Sequence, residues 1–143
     1  MVVPAKGAYY RNHDLPRFIR RYGIPFALPE GFPVNTMQLM RGAVAAEENG
    51  CYAAYINAVF QAMWADARDM RNADEIAAVL SGAGLDAAAI MGRVGEDTIK
   101  DKLKAETNAA VERGVFGGPT FFIGEAMFFG QDRLDSVEEA LRG

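Results

Sequence analysis

The sequence predicts a mostly helical α/β protein, and two patterns in the 143-residue chain carry this prediction. Alanine is abundant, strand-type runs are scarce, and apolar residues recur at helical spacing over most of the chain. Two short β-type runs, Thr120–Ile123 and Ala126–Phe129, flank Gly124 and Glu125, which is typical of a hairpin with a two-residue turn. The expected order is an irregular entry, about six helices, a hairpin and a final helix.

Composition excludes several classes of function. The chain is 50% hydrophobic and 24% charged, as expected for a globular domain. Its 19 acidic and 15 basic side chains give a net charge of −4, which argues against a nucleic-acid partner. One cysteine and one histidine exclude an intrachain disulfide, a Cys-x-x-Cys centre and a thiolate zinc site within this sequence, so we expect no metal.

Membrane and export signals are also missing from these residues. No apolar run approaches the ~18 residues of a membrane span, and no signal peptide opens the chain. We therefore expect no membrane partner and a cytoplasmic location.

The first third of the chain is predicted to be partly irregular. Residues 1–10 show no helical period and are expected to be extended or looped. Residues 12–14 can cap a first helix that ends at Gly23. Residues 24–34 contain three prolines and one glycine among apolar side chains, which predicts an irregular segment lying across a groove or a partner.

The remaining elements follow from caps and spacing. Asn35 is expected to cap a helix, and later helices are expected to start near Asp74, Asp86 and Asp97. Asp132 is the predicted N-cap of the final helix. The clearest helical period is formed by Tyr52, Tyr55, Ile56, Val59, Phe60, Met63 and Trp64.

Two short motifs are candidate ligand sites on the residues alone. Gly118-Pro119 directly precedes a strand and is a candidate cis peptide, whose exposed backbone could pair with an extended peptide-like ligand. A proline that merely opens a strand is the simpler interpretation. Asp132 precedes the last helix, whose free N–H groups suit a carboxylate or a phosphate. Asp132 itself could cap that helix with Asp135, pair with a ligand ammonium group, or do both.

Two longer stretches then resemble a known family. GVFGGPTFFIGEAMFFGQDRLDSVEEAL (114–141) and PAKGAYYRNHDLPRFIRRYGIPFALPEGFPVNT (4–36) resemble the 2-hydroxychromene-2-carboxylate isomerases, which share a thioredoxin-like group with DsbA and the kappa-class glutathione transferases. The resemblance implies a thioredoxin-like fold with an inserted all-α subdomain. Its segments would be 1–34 (thioredoxin segment and connecting loop), 35–113 (helical subdomain) and 114–143 (C-terminal thioredoxin segment).

Relative to the family, the N-terminal strand–helix–strand unit of the thioredoxin domain is expected to be missing. That unit carries the active-site serine, or cysteine in DsbA relatives, so no catalytic residue is assigned within these residues.

The resemblance implies glutathione-dependent isomerisation of 2-hydroxychromene-2-carboxylate to trans-o-hydroxybenzylidenepyruvate, in the breakdown of naphthalene-type aromatic compounds. A thiolate adds to the conjugated system, the former double bond rotates, and elimination restores it. The implied partners are glutathione, a small aromatic carboxylate and a second copy of the chain in a homodimer. The alternatives are a DsbA-type thiol–disulfide oxidoreductase, a glutathione transferase, and an inactive truncated helical fragment.

The family motifs also imply site residues. For glutathione, Gly118 beside Pro119 would contact the cysteinyl part, Gln131 and Asp132 the γ-glutamyl end, and Pro4 and Lys6 the glycyl end or the substrate carboxylate. Gly118 departs from the larger apolar residue common before this proline. The implied substrate pocket contains Tyr9, Tyr10, Asn35, Trp64 and Phe116.

Overall fold

The computed structural model describes residues 4–143. Contacts divide the chain into two compact units, Met1–Lys100 and Asp101–Gly143, and each is described by itself below. None of the helices within residues 4–143 is long and apolar enough to cross a bilayer.

The first unit begins with a helical stretch where an extended entry was predicted. Helix α1 spans Pro4–Tyr9, a π-helical turn follows at Tyr10–Asp14, and helix α2 spans Leu15–Tyr22. The prediction for residues 1–10 was therefore wrong from residue 4 onwards, and residues 1–3 lie outside the described part. Pro4 is the first described residue of α1, and a proline near the start of a helix costs little.

The predicted helix start at residues 12–14 was also wrong, because the helical backbone runs through it. Pro16 has no N–H to donate to the preceding turn. The turn before it widens instead, so that the Leu15 N–H reaches the Tyr10 carbonyl. Asp14 makes no cap and pairs with Arg17 at 2.8 Å. The predicted end at Gly23 is confirmed by its left-handed φ of 61°.

An irregular segment separates α2 from α3 (Met37–Glu48), as predicted. The Asn35 side-chain oxygen accepts a hydrogen bond from the Met37 N–H at 2.9 Å, at the start of α3. Helix α4 (Tyr52–Phe60) continues into a π-helical turn at Gln61–Ala65.

Helices α3 and α4 contact each other at a glycine. The Tyr55 hydroxyl donates to the Leu39 carbonyl at 2.9 Å, and a Cβ at Gly42 would collide with the Tyr55 side chain. Tyr55 is buried, and burial raises the pKa of its hydroxyl well above the usual range, which keeps the hydroxyl protonated as a donor.

Two short helices complete the packing of the first unit. Asn72 caps α5 (Ala73–Gly82) by accepting from the Asp74 N–H at 2.8 Å. Asp86 caps α6 (Ala87–Met91) through the Ala89 N–H at 2.9 Å, as predicted. The largest fully buried side chains lie in this unit: Tyr55, Ile76, Leu80, Ile90 and Ile99.

The second unit contains the predicted hairpin. Helix α7 (Asp97–Glu112) leads to strands β1 (Thr120–Ile123) and β2 (Ala126–Phe129), which pair antiparallel with Thr120 opposite Phe129. Gly124 has a φ of 57°, as the first position of the predicted turn requires. Within residues 4–143 the sheet has these two strands.

The final helix starts differently from the prediction. A 3₁₀ turn at Gln131–Arg133 precedes α8 (Leu134–Arg142), and no side chain caps that helix. The prediction that Asp132 is the N-cap was therefore wrong. Its carboxylate lies within the tighter turn and pairs with the Arg133 guanidinium at 3.1 Å, which also leaves the proposed capping box with Asp135 unformed.

Candidate functional site

Within residues 4–143, the turn before β1 leaves a backbone edge without hydrogen-bond partners. The Gly118–Pro119 peptide is cis, as predicted, and the Pro119 carbonyl accepts from the Gly130 N–H at 2.9 Å. Gly118 itself is exposed, and neither its N–H nor its C=O has a hydrogen-bond partner within residues 4–143. A Cβ added there would meet nothing within 4 Å, so this backbone faces open space.

An aromatic pair lies beside this free backbone. The rings of Phe116 and Phe129 are 4.6 Å apart between centroids, and Phe116 is 72% exposed. Gly117 lies under Phe129, because a Cβ there would come within 2.8 Å of the ring. The structure therefore brings Phe116 and Gly118 to the same end of the hairpin.

The same end of the hairpin also carries Gln131 and Asp132. The bond from Gly130 to Pro119 holds the start of the 3₁₀ turn against the cis peptide. Gln131 is half-buried, whereas Asp132 is exposed. One of the Asp132 carboxylate oxygens accepts a hydrogen bond from the Arg133 guanidinium. Four of the six residues predicted to hold glutathione thus lie together: Gly118, Pro119, Gln131 and Asp132.

The other two predicted glutathione contacts lie in the first unit. Pro4 and Lys6 are both exposed on α1. Of the predicted substrate residues nearby, Tyr9 accepts a hydrogen bond from Arg17 at 3.2 Å and Tyr10 is 43% exposed.

A second cluster in the first unit surrounds Trp64. Its ring stacks on Phe26 with centroids 6.2 Å apart and forms a T-shaped pair with Phe32, with centroids 5.6 Å apart. The Trp64 carbonyl accepts from the Ala27 N–H at 2.7 Å. These contacts confirm that segment 24–34 lies against other parts of the unit. No ring contact or hydrogen bond between the described residues joins Trp64 to Tyr9.

A groove of about 700 Å³ runs along the exposed side of α4. Its walls are mostly apolar, with two side-chain amides among them. The lining residues are Ile24, Pro25, Ala54, Asn57, Ala58, Phe60, Gln61, Trp64, Ala65 and Ala83.

Trp64, a predicted substrate residue, lines this groove, whereas the other lining residues were not predicted as site residues. Phe60 belongs to the strongest helical period, which predicts burial, yet it is 59% exposed. The signal was available in Asn57 and Gln61, two amides beside that apolar stripe. Polar groups of this kind among apolar walls are typical of ligand grooves.

No cluster of three potential metal ligands among His, Cys, Asp and Glu occurs in the described part of the chain.

Comparison with known proteins identifies the fold family. The family model of the DsbA-like thioredoxin domain matches residues 1–142. The chain belongs to this family. The predicted resemblance is also confirmed, since the chain is 34% identical over 136 residues to a 2-hydroxychromene-2-carboxylate isomerase of Pseudomonas sp. (strain C18).

Two further relatives are also similar to this chain. The solved structure of a 2-hydroxychromene-2-carboxylate isomerase matches with a TM-score of 0.85 and 32% identity, over 96% of this chain and 66% of that one. Glutathione S-transferase kappa 1 of Rattus norvegicus is 26% identical over 94% of this chain and 65% of its own length.

The match to the Pseudomonas isomerase covers 94% of this chain. The chain spans 62% of the length of that relative.

Proposed function

We propose that this DsbA-like protein is a glutathione-dependent isomerase acting on 2-hydroxychromene-2-carboxylate. The observation that carries the proposal is the free Gly118 backbone beside Pro119, with Gln131 and Asp132 held next to it by the bond from Gly130 to Pro119. The names of the relatives supply the reaction class.

The second unit fits a peptide-like cofactor. The Gly118 N–H and C=O would pair with the cysteinyl residue of glutathione as a neighbouring strand would. The Asp132 carboxylate would pair with the γ-glutamyl ammonium, since one of its oxygens remains available beside Arg133. When bound, glutathione supplies a thiolate nucleophile for reversible conjugate addition.

Most of the proposed substrate contacts are aromatic. Phe116 presents an exposed ring beside Gly118, and Trp64 lines the α4 groove. Tyr9, Tyr10 and Asn35 are proposed substrate neighbours, and Pro4 and Lys6 are proposed for the glycyl end of glutathione or the substrate carboxylate. These side chains would hold a flat anionic substrate while its double bond rotates.

The segment boundaries and the assembly belong to the same proposal. Segments 1–34, 35–113 and 114–143 are proposed as thioredoxin segment, helical subdomain and C-terminal thioredoxin segment, in a homodimer. The cytoplasm is the proposed location, since its thiols are kept reduced and a glutathione thiolate would be available there.

The test combines calorimetry with turnover. We expect saturable glutathione binding, and glutathione-dependent conversion of 2-hydroxychromene-2-carboxylate followed by its absorbance change. Asp132→Asn should weaken glutathione binding about tenfold, as expected for a lost charge-assisted hydrogen bond.

Asp135→Asn is the matched control, because Asp135 is also an exposed carboxylate and lies in the first turn of α8. It should leave glutathione affinity unchanged. A folded protein that binds no glutathione would overturn the proposal. Disulfide exchange without isomerisation would favour the oxidoreductase alternative instead.

A further inference from the structure

The Thr120 side chain holds one peptide unit of the turn before β1. Thr120 is half-buried at the start of the strand, and its hydroxyl donates to the Gly117 carbonyl at 2.6 Å. The Gly117–Gly118 peptide bond is trans. In a planar trans unit the C=O and the N–H point in opposite directions. Because the Gly117 carbonyl faces the Thr120 hydroxyl, the Gly118 N–H of the same unit faces away from it.

Two neighbouring glycines make the direction of this peptide unit depend on that hydrogen bond. Turning a peptide plane changes ψ of the residue before it and φ of the residue after it, and glycine tolerates the widest range of both angles. Gly118 offers no side chain to resist the rotation, and a Cβ built there would meet nothing within 4 Å. Within the described range 4–143, the Thr120 hydroxyl is the one hydrogen-bond donor to the Gly117 carbonyl.

The position of Gly117 itself is fixed from another side. A Cβ at Gly117 would come within 2.8 Å of the Phe129 ring, so this ring packs directly on the glycine. The packing holds the residue against β2, whereas the hydrogen bond from Thr120 sets where its carbonyl points. Direction and position of the turn are therefore controlled by two different side chains.

We propose that Thr120 is a positioning residue, whose hydroxyl keeps the Gly118 N–H turned to face a peptide-like ligand. With the peptide unit reversed, a carbonyl oxygen would face the ligand where the proposed contact requires a donor. The inference deepens the proposed function and rests on it for the ligand, glutathione. Thr120 acts through the Gly118 backbone and is assigned no contact with glutathione itself.

The test compares two variants of Thr120 with a matched control. Thr120→Val removes the hydroxyl and keeps the branched shape that suits a strand, whereas Thr120→Ser keeps the hydroxyl and loses a methyl group. Thr107→Val is the control, because the Thr107 hydroxyl also donates to a backbone carbonyl, that of Leu103 at 2.8 Å within α7.

Two measurements are made on each protein. Calorimetry gives the affinity for glutathione. Relaxation dispersion of the ¹⁵N nuclei, recorded without ligand, reports exchange on the microsecond-to-millisecond timescale at the Gly118 amide and along both strands.

We expect Thr120→Val to introduce exchange at the Gly118 amide, because both directions of the peptide unit become populated. Glutathione affinity should fall about three- to tenfold, as for one lost neutral hydrogen bond, since only the molecules with the N–H facing the ligand are competent to bind. Thr120→Ser should restore the affinity and remove the exchange. Thr107→Val should change neither quantity.

Several results would overturn the inference. One is a Thr120→Val protein whose Gly118 amide shows no exchange, or whose glutathione affinity equals that of the unmodified chain. Another is a Thr120→Ser protein that behaves like Thr120→Val, because the shape of the side chain and not its hydroxyl would then be responsible. Exchange that spreads equally over β1 and β2 would instead mean a general loss of hairpin stability.

Failure of the proposed function gives a different pattern. An unmodified protein that binds no glutathione would refute that proposal. The relaxation measurements need no ligand, so they would still decide whether the Thr120 hydroxyl sets the direction of the Gly118 N–H.

Discussion

At the scale of single residues, Gly42 controls how closely α3 and α4 pack. A methyl group there would collide with Tyr55, although alanine is ordinarily favoured over glycine inside a helix. We expect Gly42→Ala to lower the free energy of unfolding by about 1–3 kcal/mol, as for other overpacked cores. Urea denaturation measures the change, and Gly82→Ala is the control because its added Cβ has no neighbour within 4 Å.

A double-mutant cycle with Tyr55→Phe tests the same contact. Removing the hydroxyl removes the atom nearest to the added methyl group, so the double variant should be more stable than the two single costs predict. Strictly additive costs would contradict this contact.

The sequence could not reveal this role of Gly42. A glycine in a predicted helix indicates only a weaker helix. The partner of Gly42 is Tyr55 in the next helix, and Tyr55 lies 16 positions after Leu39, whose carbonyl accepts its hydrogen bond. At Gly23 and Gly124, by contrast, the local sequence is enough to predict the role of the glycine. The predicted helix end at Gly23 and the predicted turn at Gly124 are both confirmed by positive φ values.

At the scale of elements, a pair of charges supports the start of α5. The Arg68 guanidinium, hydrogen-bonded to Glu75, lowers the pKa of that carboxyl below its ordinary value. The folded protein therefore binds this proton more weakly than the unfolded chain does. The resulting stabilisation is present near neutral pH and is lost as the pH falls through the lowered pKa.

Replacing Arg68 tests this directly. In Arg68→Met the pKa of Glu75 should rise towards its ordinary value, near 4.3 in unfolded peptides, and stability should depend less on pH between about 5 and 3. Carboxyl NMR titration gives the pKa, and denaturation at several pH values gives the stability. An unchanged Glu75 titration would contradict the assignment.

Elements were predictable where local chemistry decides them. The hairpin and the α6 cap follow from Gly124 and Asp86, whose neighbours in sequence are also their partners. The entry helix was missed because Pro4 and Gly7 look like breakers, whereas a proline near the start of a helix costs little. The start of α8 was missed because a 3₁₀ turn, invisible in the spacing, displaces Asp132 from the cap position.

The candidate site likewise contains one feature that a local motif predicts and one that depends on residues far apart in the sequence. The cis peptide and its free glycine follow from a short motif, and the structure confirms that geometry. The α4 groove depends on segment 24–34 meeting Trp64, a contact between residues far apart in sequence. Spacing alone does not encode such a contact.

At the scale of the whole molecule, burial is distributed unevenly between the two units. Among the described residues, Val137 is the one buried apolar core side chain in the second unit, and the others lie in the first. We expect the β1 and β2 amides to show hydrogen-exchange protection at least about tenfold below that of α3 and α5.

Mass spectrometry or NMR can resolve these segments, with the measurement repeated at two pH values to verify that exchange reports equilibrium opening. Equal protection in both units would contradict the expectation. The expected low protection beside Gly118 would agree with its proposed binding role, since binding regions commonly open more easily than cores.

The aromatic cluster of Phe26, Phe32 and Trp64 has a practical consequence for spectroscopy. Trp64 is the only tryptophan in the sequence, so intrinsic fluorescence excited at long wavelength originates from this one ring. Its neighbours belong to the irregular segment, not to the buried centre formed by Ile76 and Leu80. An emission change during denaturation will therefore report release of that segment, and circular dichroism is needed alongside it to follow the helices.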